Sequence, residues 1–148
     1  MPTKIQLEAL LKEAMKAGDD IKKRTIRMVL AAIRQQEIDR QVILDETAIL
    51  SIIQKEIKTR REAVEEARHA DRQDIVTATE AEVAVLQAYL PEAVTEDELK
   101  GIAAAAIEEA GASTLADMGK VMKIIMPKIA GRAPGDQVSS MVRQLLQK

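Results

Sequence analysis

The chain contains no cysteine, no tryptophan and no phenylalanine, and it holds one tyrosine, Tyr89, and one histidine, His69. Without cysteine there are no disulfide staples and no thiolate zinc site, a pattern that fits a reducing compartment. A single histidine with no cysteine beside it cannot build a nucleophile–base site of the chymotrypsin or papain type. Aromatic content of 1% excludes the row of aromatic platforms on which stacking-type single-strand nucleic-acid binders rely. Long apolar runs are missing too. No stretch approaches a membrane-spanning length, and Met1-Pro2-Thr3-Lys4-Ile5-Gln6 carries no apolar leader pattern. A soluble, cytoplasmic protein without membrane contact is the expectation.

What is present favours helices. Apolar residues make up 47% of the 148 residues and charged residues 31%, which suits a packed core in one compact domain or two small ones. That core must be Leu, Ile, Val, Met and Ala, a composition suited to helices packed at close range. Apolar periodicity predicts an all-α fold of about seven helices. The first covers about residues 4–16, with Ile5, Leu7, Leu10, Leu11, Ala14 and Met15 inward, and closes near Gly18. The second follows Asp19 and Asp20 to about residue 40; Ile26, Val29, Leu30, Ile33 and Glu37 trace one face, and Lys23, Arg27 and Arg34 a basic stripe. Asp45 caps a long third helix over about 46–70, and the fourth runs over about 73–90 until Pro91 stops it.

Thr95 and Glu98 read as a capping box for the fifth helix, which Gly111 ends. The sixth starts near Ser113 or Thr114 and reaches Met126, where Pro127 must end or kink it. Ala133-Pro134-Gly135-Asp136 is a turn, with Asp136 capping the seventh helix. The break after Pro91 predicts a four-helix portion over 1–91 and a three-helix portion over 92–148. A unit as small as the second is marginal alone, so the two are expected to pack together.

Charge is unevenly spread. The overall balance is −2, yet residues 92–117 hold seven acids and one base, whereas residues 118–148 hold six bases and one acid. Lys120, Lys123, Lys128 and Arg132 sit there among apolar residues at helical spacing, and Gly119 leaves room for a close approach to the backbone. A second basic cluster, Lys55, Lys58, Arg60 and Arg61 on the third helix with Arg27 and Arg34 on the second, stands near Glu56, Glu62, Glu65 and Glu66. Pairing at helical spacings is the bland reading of that cluster. For the C-terminal cluster the bland reading is pairing with the acidic fifth helix, Glu108 and Glu109 included. Both clusters otherwise suit an anionic partner.

No motif supplies a self-contained active site. Gly119-Lys120 fails as a phosphate loop, because Thr114 and Val121 stand where a glycine and a hydroxyl residue are needed. Glu66-Ala67-Arg68-His69 has the Glu-x-x-His spacing of di-metal helical bundles but lacks the second copy such a site requires. Neither a metal nor a cofactor is expected. Met118, Met122 and Met126 form an i, i+4, i+8 ridge that could serve a partner helix or simply the core.

Several segments together resemble the YqeY family, whose domain also forms the tail of GatB, a subunit of the glutamine-dependent aminoacyl-tRNA amidotransferase. They are Ile26-Arg27-Met28-Val29 with Ala32-Ile33, Glu56-Ile57-Lys58 with Arg60-Arg61, Ala70-Asp71-Arg72-Gln73-Asp74-Ile75, Tyr89-Leu90-Pro91, and Asp117-Met118-Gly119-Lys120-Val121-Met122. The resemblance covers nearly the whole chain. It implies an all-helical fold of two helical subdomains and an RNA-contacting appendage that helps to hold tRNA. It also implies the label of carbon–nitrogen ligase with glutamine as amido donor, whose chemistry resides in other domains and subunits. The residues carried over as RNA-facing are Lys120 and Lys123 beside Gly119, with Lys128 and Arg132 nearby; Arg27, Lys58 and Arg61 are further nucleic-acid-binding candidates, named from the charge of the second basic cluster and not from the resemblance. Ala67 departs from the large aromatic that relatives often place there. The expected partners are tRNA or another structured RNA and an amidotransferase or other tRNA enzyme. The alternative is a helical protein-interaction module that docks through its C-terminal part.

Overall fold

The computed structural model describes residues 3–147. They form seven α-helices and one 3₁₀ turn, with no strand among the described residues. The chain divides into two compact units, Met1–Pro91 and Glu92–Lys148.

The first unit contains α1 (Lys4–Ala17), α2 (Asp20–Arg40), α3 (Glu46–His69) and α4 (Gln73–Gln87). Local chemistry sets most of these ends. The Gln6 amide donates to Thr3 Oγ1 at 3.2 Å, while the Thr3 amide donates to Gln6 Oε1 at 2.9 Å, a reciprocal cap for α1. Gly18, at φ 70°, closes that helix in a left-handed conformation that costs glycine nothing. Asp19 caps α2 and Asp45 caps α3, their carboxylates accepting from Lys22 N–H at 3.0 Å and Ala48 N–H at 2.9 Å. The 24 residues of α3, at ~1.5 Å each, span roughly 36 Å.

Ile26, Val29 and Ile33 of α2 meet Leu7 of α1, Ile49, Ile53 and Ile57 of α3 and Leu86 of α4 in one core. Val64, Ala67 and Val76 make a smaller cluster between α3 and α4. Ile5 and Met15 do not point inward as the α1 pattern implies; they are 78% and 52% exposed. Leu7 and Ala14 are buried one stripe away, and a helix has one apolar face of limited width. The α4 helix stops at Gln87 rather than reaching residue 90. Pro91 biases Leu90 away from the α region, so the chain tightens into turns in which Tyr89 N–H donates to Leu86 O and Leu90 N–H to Gln87 O.

The second unit contains α5 (Glu96–Ala110), the 3₁₀ turn (Leu115–Asp117), α6 (Met118–Ile129) and α7 (Gly135–Leu146). Its core is wholly aliphatic: Leu99, Ala103 and Ala106 of α5, Val121, Ile125 and Ile129 of α6, and Val138, Val142 and Leu146 of α7. Two alanines on the inner face of α5 permit a close helix approach.

Three local expectations need correction here. Thr95 caps α5 through Glu98 N–H at 3.1 Å, but the Glu98 carboxylate accepts from Arg132 instead of completing the box. Pro127 lies inside α6, which continues to Ile129. The proline withholds one amide from the ladder, and Ala130 N–H resumes the bonding at Met126 O, 3.0 Å. Asp136 sits within the first turn of α7 and is not its cap; Val138 N–H already donates to Pro134 O at 3.1 Å, so the helix begins earlier. Among the described residues no helix is long and apolar enough to cross a membrane.

Candidate nucleic-acid interface

The segment leading into α6 is organised by Asp117. Its Oδ2 accepts from the Ser113 amide at 3.0 Å and the Thr114 amide at 3.4 Å. These backbone hydrogen bonds, from Ser113 first and then Thr114, hold the carboxyl below its ordinary range, and the positive charge of Lys120 acts in the same direction. Gly119 is exposed on the first turn of α6, and a Cβ added there would meet nothing within 4 Å. Lys120 and Lys123 are exposed on the same helix, and neither forms a salt bridge among the described residues. Their i, i+3 spacing places them side by side on the helix surface.

The other two cations of this segment are engaged. Lys128 Nζ lies 2.9 Å from Glu109 Oε2. Arg132 donates through Nε to the Glu92 carbonyl at 2.9 Å and through Nη2 to Glu98 Oε2 at 3.0 Å. The Arg132 carbonyl in turn accepts from Val94 N–H at 3.0 Å. Arg132 therefore fastens the start of the second unit to the bend after α6. The open cationic patch narrows from four residues to Lys120 and Lys123, because packing brings carboxylates of α5 alongside the end of α6.

In the first unit, Arg27 is exposed with Nη2 3.9 Å from the Met15 sulfur. Arg61 is exposed and donates to Gln87 Oε1 at 3.2 Å, and Lys58 is exposed on α3. Their neighbour Arg60 is different. Its side chain is only 7% exposed and donates to Glu56 Oε2 at 2.6 Å and Glu82 Oε2 at 3.2 Å, with Nη2 3.3 Å from the Met28 sulfur. Arg24 reaches the other oxygen of Glu82 at 3.2 Å. This chain of charges ties α2, α3 and α4 together, so Arg60 belongs to the framework. Sequence reading missed Glu82. Its clue was position: an acid at the border of the apolar stripe made by Val76, Val83 and Leu86 on α4.

A cleft of about 530 Å³ opens between α1 and the turn after α4, lined by Gln6, Leu10, Glu13, Tyr89 and Pro91 among others. Burial pushes the Tyr89 phenol above its usual pKa, and the charges of Asp19 and Glu13 add to the effect. The negative surroundings do not invite a polyanion. The methionine ridge offers little to a partner: Met118, Met122 and Met126 are half-buried and pack on the core of their own unit. Glu66 and His69 gather no further ligands, since among the described residues no three His, Cys, Asp or Glu side chains cluster to hold a metal.

Residues 4–146 match the family model described as Yqey-like protein. The protein named Altered inheritance of mitochondria protein 41, mitochondrial, from Pyrenophora tritici-repentis is 34% identical over 147 residues, which are 95% of this chain and 79% of that one. Proteins of the same name are 41% identical in Lachancea thermotolerans and 42% identical in Eremothecium gossypii, each over 81 residues. Those stretches cover 54% of this chain and 43% and 44% of the two relatives, so the match spans less than half of either relative's length. With a family model matched along almost its entire length and a relative aligned over 95% of it, the chain belongs to the YqeY family.

Proposed function

We propose that this chain is a non-catalytic accessory that holds structured RNA, tRNA foremost, for an amidotransferase or another tRNA enzyme. The observation that carries the reading is the pair Lys120 and Lys123, exposed and in no salt bridge among the described residues, beside an unobstructed Gly119. Compact ammonium groups on a rigid helix suit phosphates, and a chain with no Trp or Phe suits a reader of shape and backbone better than a reader of base sequence. The carbon–nitrogen ligase label of related amidotransferases then describes the assembly served and not a reaction of this chain. Any compartment that holds tRNA meets the requirement, the cytoplasm and the mitochondrial interior alike; the mitochondrial names of the relatives make the latter worth testing first.

The test is a titration of bulk tRNA at several salt concentrations. Two phosphate contacts, from Lys120 and Lys123, give a slope of log K on log salt of about −1.8, or roughly a twelvefold weakening over a fourfold salt increase. If Lys128 and Arg132 exchange their carboxylates for phosphates, four contacts steepen the slope to about −3.6. The double variant Lys120→Glu/Lys123→Glu weakens binding by about tenfold or more at low salt. Unchanged affinity in that variant removes the proposal.

A further inference from the structure

A groove of about 310 Å³ crosses α3 and α4 in the first unit, lined by Arg61, Val64, Glu65, Arg68, Glu80 and Val83. Its floor is two valines, and its rim is two arginines and two glutamates whose formal charges cancel. Arg68 is held from both sides: Nη1 donates to Glu65 Oε1 at 2.8 Å, and Nη2 donates to Glu80 Oε1 at 2.7 Å on the neighbouring helix. Those two bonds hold the guanidinium at the groove while the side chain stays 52% exposed. Arg61 donates to the Gln87 side-chain oxygen at 3.2 Å. A guanidinium is flat, delocalised and weakly hydrated, and it stacks readily on π-systems.

The occupant is constrained by these features. A phosphate finds no net positive charge. An aliphatic side chain satisfies the floor but strips water from four polar rim groups without replacing their hydrogen bonds. An aromatic side chain offers a face but at most one polar atom. A planar ring with donors and acceptors around its edge satisfies floor, plane and rim together.

We infer that this groove receives an unpaired nucleobase, its face against the Arg68 guanidinium and its edge toward Glu65 and Arg61. Stacking on arginine planes is an established route for holding bases splayed from RNA loops, and here it replaces the aromatic platforms that the composition lacks. The inference rests on the RNA reading above and adds to it the part of the RNA engaged: a loop base, where Lys120 and Lys123 engage phosphate.

The experiment is methyl NMR on the full chain, following Val64 and Val83 during separate titrations with adenosine, ribose 5-phosphate and N-acetyltryptophanamide. Adenosine moves both valines saturably, and ribose 5-phosphate leaves them in place. Arg68→Lys keeps the charge and loses the plane, so adenosine binds about two- to fivefold more weakly. Arg61→Lys, at an exposed site, changes affinity in the same direction and serves if the first variant misfolds. No response to adenosine, equal affinity in both variants, or a response confined to N-acetyltryptophanamide overturns the inference. Adenosine carries no phosphate, so the two tests fail separately. Adenosine binding without tRNA binding discards the RNA-holding reading; tRNA binding without adenosine binding discards the groove.

Discussion

The two units handle charge in opposite ways. The first contains fifteen bases and sixteen acids, against seven bases and eight acids in the second, so the larger unit holds most of the cationic charge. Yet it draws Arg60, 7% exposed, into its helix packing and binds Arg24, Arg68 and Arg72 to carboxylates. The second unit keeps every charge out of its aliphatic core, ties down Lys128 and Arg132, and leaves Lys120 and Lys123 open. The number of basic residues is therefore a poor measure of available cationic surface; what decides is where the neighbouring helices place their acids.

That contrast can be broken from either side. The largest effect is expected in the aliphatic unit, where Ile125→Ala leaves a cavity among fully buried neighbours and costs about 4 kcal/mol. Loss of the α5–α7 helical signal in denaturant, read by hydrogen exchange or circular dichroism, reports it. In the first unit, Arg60→Ala strands the carboxylate of Glu56, leaves Glu82 to Arg24 alone and costs about 3 kcal/mol. Replacing Glu82 as well, as Arg60→Met/Glu82→Leu, recovers part of that loss, because the desolvation of that pair is avoided while Glu56 stays unpaired and Arg24 loses its carboxylate. A double variant no better than the single one would mean that Glu82 acts mainly through Arg24.

A smaller effect sharpens the same comparison at the surface. Glu109→Gln frees Lys128 from its carboxylate, and the salt slope for tRNA then steepens by about 0.9 as one more phosphate contact becomes available. A slope identical to that of the parent chain would show Lys128 to be a structural cation. The smallest effect concerns Glu37. The Lys4 ammonium first, and then the Leu44 amide, hold its carboxyl below the ordinary 4.5. A carboxyl whose pKa falls on folding contributes stability above its unfolded pKa, and that contribution is lost as pH drops through the folded value. Glu37→Gln therefore lowers the thermal midpoint at neutral pH, and the gap to the parent chain closes as pH falls below about 4.5. A gap constant with pH would assign the loss to packing alone.

Local rules were legible in the sequence where both partners lie within one turn. Asp45 caps α3, and Gly18 and Gly111 close their helices, because each device needs only its own neighbours. Some local readings failed, Asp136 as the cap of α7 among them, and others failed because the partner is distant. Glu98 pairs with Arg132, 34 positions away, in place of its own helix end. The pairing of Glu109 with Lys128, 19 positions away, is the bland reading of that cluster, and the charge pattern alone did not choose between it and an open cation. The exposure of Lys120 and Lys123 followed from helical spacing against Val121 and Ile125, whereas the burial of Arg60 did not, since Glu82 arrives on a helix that begins only at Gln73. Spacing tells which face a side chain occupies, but not what another helix brings to it.

The single tyrosine carries a practical consequence. Tyr89 lies in the first unit, lining the cleft beside α1, and the chain has no tryptophan or phenylalanine. All intrinsic ultraviolet fluorescence consequently arises from one reporter near α1. Residues beyond Pro91 do not fluoresce, and any dye-free melt of this protein followed by emission will describe only the environment of that phenol.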